Sequence, residues 1–472
     1  MNEKTKSLLK NLNYTVSANF LVLGISIILN LFVPRYIGVK EYSYWQLYVF
    51  YTGFVGFFHF GWLDGIYLKI GGEEYGKLDK RGLGTQFWYL LFFQIVLSIS
   101  LIFYTELNSI SGNREIILVC TSIMLIVTNI KTFILYIFQS TNRIKEYAQL
   151  SRNDRYIYII VVVMYILLGG KSFVFLIMSD ILTKLIMTLW GMNKISDIIL
   201  TKFIGFRVTI SEIISNIKIG INLMFGNIAS MLVMGITRVF VEQQWSIEVF
   251  GKLSFTLSLS NMFMTFINAI GVVMFPLLRR TDRDNLTNLY IHLRNLFVPF
   301  TYAILLSYIP MKHLLNIWVP SYSQSMVFMG ILFPMVVYEG RMALLISTYL
   351  KTLREEKVIL IVNIVTLCMS ILISYVSVFI ISNIYLTVVG IIVGIAFRCI
   401  FAEVLLNKKL LLKDNYDIVI ETVLTIIFIL SNLIPNHLYS FFIYLLFYLS
   451  YIFIKRKTLK ASYLTLFSLL KS

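Results

Sequence analysis

The chain has 472 residues, of which 58% are hydrophobic and only 14% charged, against about 25% charged in an ordinary soluble domain, and this excludes a water-soluble globule. At about 20 apolar residues per membrane span, fourteen spans use roughly 280 residues, which matches the hydrophobic fraction. The 41 Lys and Arg outnumber the 24 Asp and Glu to give +17, while Cys120, Cys368 and Cys399 form no CxxC pair and the four histidines are scattered, so neither a disulfide framework nor a metal site is supported.

In chain order, the polar and basic start Met1 to Asn13 runs into an apolar segment without a small-residue cleavage site, which reads as a retained first helix over 14–33. Further runs long enough to span fall at 44–63, 84–104, 116–139, 156–169, 172–191, 217–241, 250–274, 295–317, 325–350, 358–381, 384–406, 418–434 and 437–454. The fifth is short and ends at Gly169-Gly170-Lys171, so with the sixth it could form a hairpin that turns inside the membrane. Pro299 and Pro334 lie within the ninth and tenth, where a missing backbone N–H permits a kink. The loops leave no room for a soluble catalytic domain. No P-loop, GxGxxG or nucleophile–histidine spacing is present, which argues against an enzyme or a one-chain ATP-driven pump.

Cytoplasmic segments beside membrane helices are enriched in Lys and Arg. With the N-terminus inside, the cytoplasmic segments carry 30 of these residues and the outer loops 5. Both termini are therefore expected on the cytoplasmic side of the membrane, and the positive charge reports mainly orientation, not nucleic acid.

Two weak matches suggest an internal repeat. The turn Val39-Lys40-Glu41-Tyr42-Ser43-Tyr44-Trp45 parallels Ser246-Ile247-Glu248-Val249-Phe250-Gly251-Lys252, and Gln139-Ser140-Thr141-Asn142-Arg143 parallels Tyr349-Leu350-Lys351-Thr352-Leu353-Arg354 at nearly the same offset. Six helices thus repeat with one orientation. The segment from Pro34 to Trp45 resembles the Leu-Gly-x-x-x-Tyr-Gly-x-Trp signature of bacterial polysaccharide exporters, the Wzx-type flippases of the multidrug/oligosaccharidyl-lipid/polysaccharide exporter superfamily. Phe275-Pro276-Leu277-Leu278-Arg279 and the basic exits of spans 4 and 10 resemble further parts of that family. Two departures are Ser43 in place of the usual Gly, and Thr237-Arg238 where many relatives have Asp-Arg.

The resemblance implies an all-α polytopic membrane protein: parallel six-helix bundles over 1–216 and 217–413, around a cavity open alternately to either side. A transmembrane hairpin and basic cytoplasmic tail over 414–472 would follow. It also implies the substrate, an oligosaccharide on undecaprenyl diphosphate turned outward for O-antigen, lipopolysaccharide or capsule assembly, with a polymerase and a chain-length regulator as partners. No cofactor is expected beyond an ion gradient.

Ionisable groups inside spans are functional candidates. Lys131, Lys184, Arg341 and Arg398 each lie seven to nine residues from the cytoplasmic end of a span, about 10–14 Å inside it. They read either as a cationic belt for the diphosphate or as side chains reaching back to the headgroups. Glu339 and Arg341, two residues apart, point to different faces, whereas Asp180 and Lys184 are spaced to pair. Arg35 and Arg238, near the outer ends of the equivalent first and seventh spans, could receive the diphosphate or anchor the interface. Glu339, Asp64 (near His59) and Asp180 are candidates for ion coupling. The 37 Phe, 29 Tyr and 6 Trp exceed what interface belts need, so some could stack on sugars. Competing readings are a drug/cation antiporter of the same architecture and a membrane polysaccharide polymerase or glycosyltransferase.

The charge asymmetry makes a direct prediction about orientation. A single cysteine at position 145 is expected to be protected from membrane-impermeant reagent in intact cells and one at position 322 to be labelled; the reverse pattern would invert the topology.

Overall fold

The computed structural model describes residues 24–280, 283–412 and 416–471, with side-chain surroundings throughout except at 266, 268–280, 283–285 and 466–471. The basic start, the first half of the first predicted span and the side chains of the Phe275 to Arg279 motif lie outside the described residues. Within them the chain is helical and no strand occurs. Hydrocarbon demands this, because a segment in lipid must satisfy its own backbone N–H and C=O groups.

Among the described residues, eight helices are long and apolar enough to cross a membrane: Lys80–Leu107, Asn113–Ser140, Phe173–Lys194, Phe206–Gln244, Leu286–Trp318, Glu356–Ile380, Ile384–Lys409 and His437–Thr465. A ninth is formed by Pro320–Leu332 with Met335–Thr352, bent by 48°. The other predicted spans fall on Val39–Val55, Ile144–Leu167, Ile247–Arg280 and Tyr416–Ser431, and Gly24–Ile37 is the described end of the first. The chain is an all-α, multi-pass membrane protein.

Three spans differ from their predicted outline for identifiable reasons. Helix Val39–Val55 stops well before residue 63 because Phe60 and Gly61 adopt positive φ (52° and 81°), and the chain restarts as Trp62–Lys69. The fifth span is not short: Ile144–Leu167 is 24 residues long and carries Arg152, Asp154 and Arg155 inside the helix, where their polarity hides it from a hydropathy reading. The tenth is bent at Pro334, which lacks an N–H and crowds the preceding turn, and it continues through a π-helical turn, Met342–Ile346, directly after Arg341. Tyr322 is buried, its ring 4.6 Å from Phe255, so the neighbouring exposed Ser323 is the better outer labelling position.

The chain divides into two compact units, Phe32–Ile228 and Ala229–Ser472, the latter joined by the chain up to Leu31. In the first, Leu83, Phe87, Leu90, Phe133, Ile134, Ile137, Leu150 and Ile198 form an apolar core. Asp79 caps Lys80–Leu107 by accepting from the Gly82 N–H, and Ser172 caps Phe173–Lys194 at Val174. On the loop side, Lys80 (2.8 Å) and the Tyr75 hydroxyl (2.6 Å) hold Asp197. Partial burial raises its carboxyl, but these two partners outweigh that and keep it below the usual range. In the second unit Tyr308, Phe333 and Phe428 pack ring on ring, and the Trp318 indole donates to the Leu31 carbonyl at 2.8 Å.

One contact in the first unit is backbone on backbone. A Cβ on Gly65 would overlap the Asn216 carbonyl, and one on Gly220 would overlap the Gly61 carbonyl, so Trp62–Lys69 seats on the early turns of Phe206–Gln244 only because these positions lack side chains. Gly65→Ala is expected to cost about 1–3 kcal/mol or more through overpacking, read as a lower melting temperature and membrane abundance. Gly76→Ala, with nothing within 4 Å of its Cβ, should be neutral.

Candidate functional site

In the first unit, three helices bring ionisable side chains to one place. Lys131, on Asn113–Ser140, lies 2.7 Å from Asp154 on Ile144–Leu167. Lys184 lies 2.6 Å from Asp180 one turn earlier on Phe173–Lys194, as their spacing predicts. Asp180 also accepts from the Tyr48 hydroxyl at 3.0 Å and faces Arg155 at 3.9 Å. Three cations and two carboxylates sum to +1. The side chains of Lys131, Asp154, Asp180 and Lys184 are at most 15% exposed, but that of Arg155 is 47% exposed. Arg155 stands eleven residues into its helix, about 16 Å along it. Asp154 Oδ1 is buried there without a hydrogen-bond partner.

In the second unit the arrangement is closed and neutral. Arg341 is 1% exposed. Its Nη1 donates to Glu403 at 2.8 Å, and its Nη2 lies 2.9 Å from Glu421, within ion-pair distance but outside hydrogen-bond geometry. Arg294 binds the same two carboxylates, its Nε donating to Glu403 and its Nη1 and Nη2 to Glu421 at 3.0 and 2.8 Å. The four charges cancel. Around them Tyr290 donates to Glu403, Tyr451 to Glu421 Oε1 and Tyr302 to the Glu421 carbonyl, while Asp417 joins Arg294 to Lys455. Arg398 is a separate, looser pair with Glu339 at 3.4 Å, and its Nε is unpartnered.

The remaining candidates are dispersed. Asp64 accepts from the Tyr136 hydroxyl at 3.2 Å and lies 3.8 Å from His59 Nε2; since His59 Nδ1 accepts from the Gly61 N–H, Nε2 carries the ring proton. Arg35 is exposed at the end of the first helix. Arg238 donates to the Ser254 hydroxyl at 2.9 Å and stacks on Phe250, and the neighbouring Thr237 hydroxyl meets that of Ser374 at 2.6 Å.

Sequence reasoning named Lys131, Lys184, Arg341 and Arg398 together with Asp180 and Glu339, but missed Asp154, Glu403 and Glu421, the acids that balance Lys131 and Arg341. Glu403 and Glu421 lie inside predicted spans and satisfy the criterion that selected Glu339. Asp154, Arg155 and Arg294 were assigned to loops because the helices carrying them begin earlier than hydropathy indicates.

No protein-family model matches the sequence, and no curated protein is similar to it at a significant level. The structure does match solved membrane transporters. A structure described as the lipid II flippase MurJ in an inward closed conformation superposes with a TM-score of 0.67 at 11% identity, covering 94% of this chain and 99% of that one. An inward-facing multidrug resistance MATE family transporter of the MOP superfamily gives 0.63 at 12% identity, covering 84% and 98%. A MATE protein in a straight conformation gives 0.52 at 11%, covering 85% and 95%. The chain therefore has the fold of these transporters.

The neutral cluster yields a stability prediction. Glu421→Leu, which leaves two buried guanidinium groups sharing one carboxylate, should cost about 3–5 kcal/mol and lower the melting temperature and membrane abundance. The double variant Arg341→Met with Glu421→Leu should recover part of the loss, and a thermodynamic cycle on the purified protein measures the coupling.

Proposed function

We propose that this protein is a flippase that carries undecaprenyl-diphosphate-linked oligosaccharide from the cytoplasmic to the outer leaflet of the bacterial inner membrane, by alternating access, for O-antigen, lipopolysaccharide or capsule assembly. The observation that carries the reading is the partly open, net-positive cluster of Lys131, Arg155 and Lys184, brought together by three helices with Asp154 and Asp180. A diphosphate leaving water needs such preformed cations, and Arg155 can fork two phosphate oxygens while the lysines act as point charges. The likeness to a lipid II flippase supports a lipid-linked substrate. Both termini lie in the cytoplasm in this reading, and a polymerase and chain-length regulator take up the delivered units.

In this reading Arg398 is the diphosphate ligand of the second unit, with Arg35 and Arg238 serving after outward opening. Arg341 acts through the neutral cluster that it completes, and its substitution is expected to reduce abundance before it reduces transport. Among the coupling candidates, Asp180 and Glu339 already face cations, whereas Asp64 faces the neutral Tyr136 and His59, which suits it to exchange a proton. A drug/cation antiporter is the second reading, favoured by the likeness to a multidrug transporter.

In cells without a redundant flippase, Arg155→Ala should lower surface-polysaccharide export about tenfold or more, the worth of one charge-assisted hydrogen bond, at unchanged membrane abundance. Arg155→Lys should restore part of it. Normal export by Arg155→Ala with altered drug resistance would favour the antiporter.

A further inference from the structure

A second polar site lies in the first unit, away from the cation cluster. A cavity of about 280 Å³ is lined by Lys69, Glu73, Lys77, Asp79, Gln86, Glu212 and Asn216, among others. Three carboxylates against two lysines leave it at −1. Trp62 fixes the hydrogen-bond sense of the groups beside it. Its indole N–H can only donate, and it donates to Gln86 Oε1 at 2.9 Å. That oxygen also receives Asn216 Nδ2 at 2.9 Å, while Gln86 Nε2 donates to Glu212 Oε2 at 3.0 Å. Neither amide can be turned over without breaking these bonds.

The consequence is an orphan acceptor. Asn216 is 1% exposed, and its Oδ1 is buried with no hydrogen-bond partner. A carbonyl oxygen left this way needs a donor or a cation. Asn216 lines the same cavity as Asp79 and Glu212, whose carboxylates approach each other over Gly82, where a Cβ would overlap Asp79 Oδ2 and lie 3.4 Å from Glu212 Oε2. Hard oxygen donors and one net negative charge suit a hard monovalent cation, and no nitrogen or sulfur ligand invites a transition metal.

We propose that Asn216, Glu212 and Asp79 hold a sodium-class monovalent cation, which fixes the Asn216 side chain where Phe206–Gln244 seats on Trp62–Lys69. The assignment is independent of the flippase reading, because it is read on the purified chain and not through export.

The test is sodium binding to the full-length protein in detergent, measured with radioactive Na⁺ and as a Na⁺-dependent rise in melting temperature, with choline chloride at equal ionic strength as control. The wild type should saturate with Na⁺ and not respond to choline. Glu212→Gln and Asp79→Asn should each raise the half-saturating Na⁺ concentration about tenfold, one order of magnitude in affinity, while Glu106→Gln and Glu356→Gln, at exposed positions outside the cavity, leave it unchanged. Gly82→Ala keeps every polar group but crowds the two carboxylates, and should weaken binding even if an acid variant folds poorly. The proposal is overturned if choline matches Na⁺, if Ca²⁺ binds in preference to Na⁺, or if Glu212→Gln and Gly82→Ala bind Na⁺ as the wild type does.

Discussion

Two arginines and two glutamates that share each other's charge deep in the second unit set the terms for much of its structure. A lone guanidinium or carboxylate among apolar helices would cost several kcal/mol, so Arg294, Arg341, Glu403 and Glu421 must all be present at once. They come from four different helices. Any one of those helices docked out of register would strand a charge, so the cluster specifies packing that apolar surfaces alone leave degenerate. Glu421 belongs to the segment that the sequence sets apart as an additional hairpin. Its carboxylate makes that segment an electrostatic component of the unit, and the tyrosines around it use the remaining hydrogen-bonding capacity of the acids.

The first unit solves a related problem differently. Its five charges do not cancel, and Arg155 keeps almost half its side chain accessible. A fully matched cluster has little affinity to offer an incoming anion, whereas a cluster with one excess cation and one open guanidinium retains some. The same chemical vocabulary thus serves cohesion in one unit and, in our reading, recognition in the other.

The outline of the fold was legible because membrane spans announce themselves through length and hydropathy, and the predicted runs coincide with helices even where propensity is ambiguous. Their ends were less legible wherever a helix carries charge. Ile144–Leu167 begins with polar turns that read as a loop, which concealed Asp154 and Arg155. The bend at Pro334 was visible as a missing N–H. The break after Val55 was not, because it depends on Phe60 adopting a backbone conformation that its side chain gives no reason to expect. Charge partners were the hardest to read: Lys184 and Asp180 are neighbours in sequence, but Arg341 finds Glu403 and Glu421 across 62 and 80 positions, and no local spacing encodes that.

The charge sums of the two clusters also bear on the membrane potential. Moving one elementary charge through the full field involves about 2.3 kcal/mol per 100 mV. Arg294, Arg341, Glu403 and Glu421 travel together as a neutral body, so shifting them along the membrane normal does almost no electrical work. Lys131, Arg155 and Lys184 with Asp154 and Asp180 carry +1, and a bound anion would cancel or reverse that charge. Displacement of the first cluster is therefore sensitive to voltage in a way that depends on whether it is loaded, while the second is electrically silent.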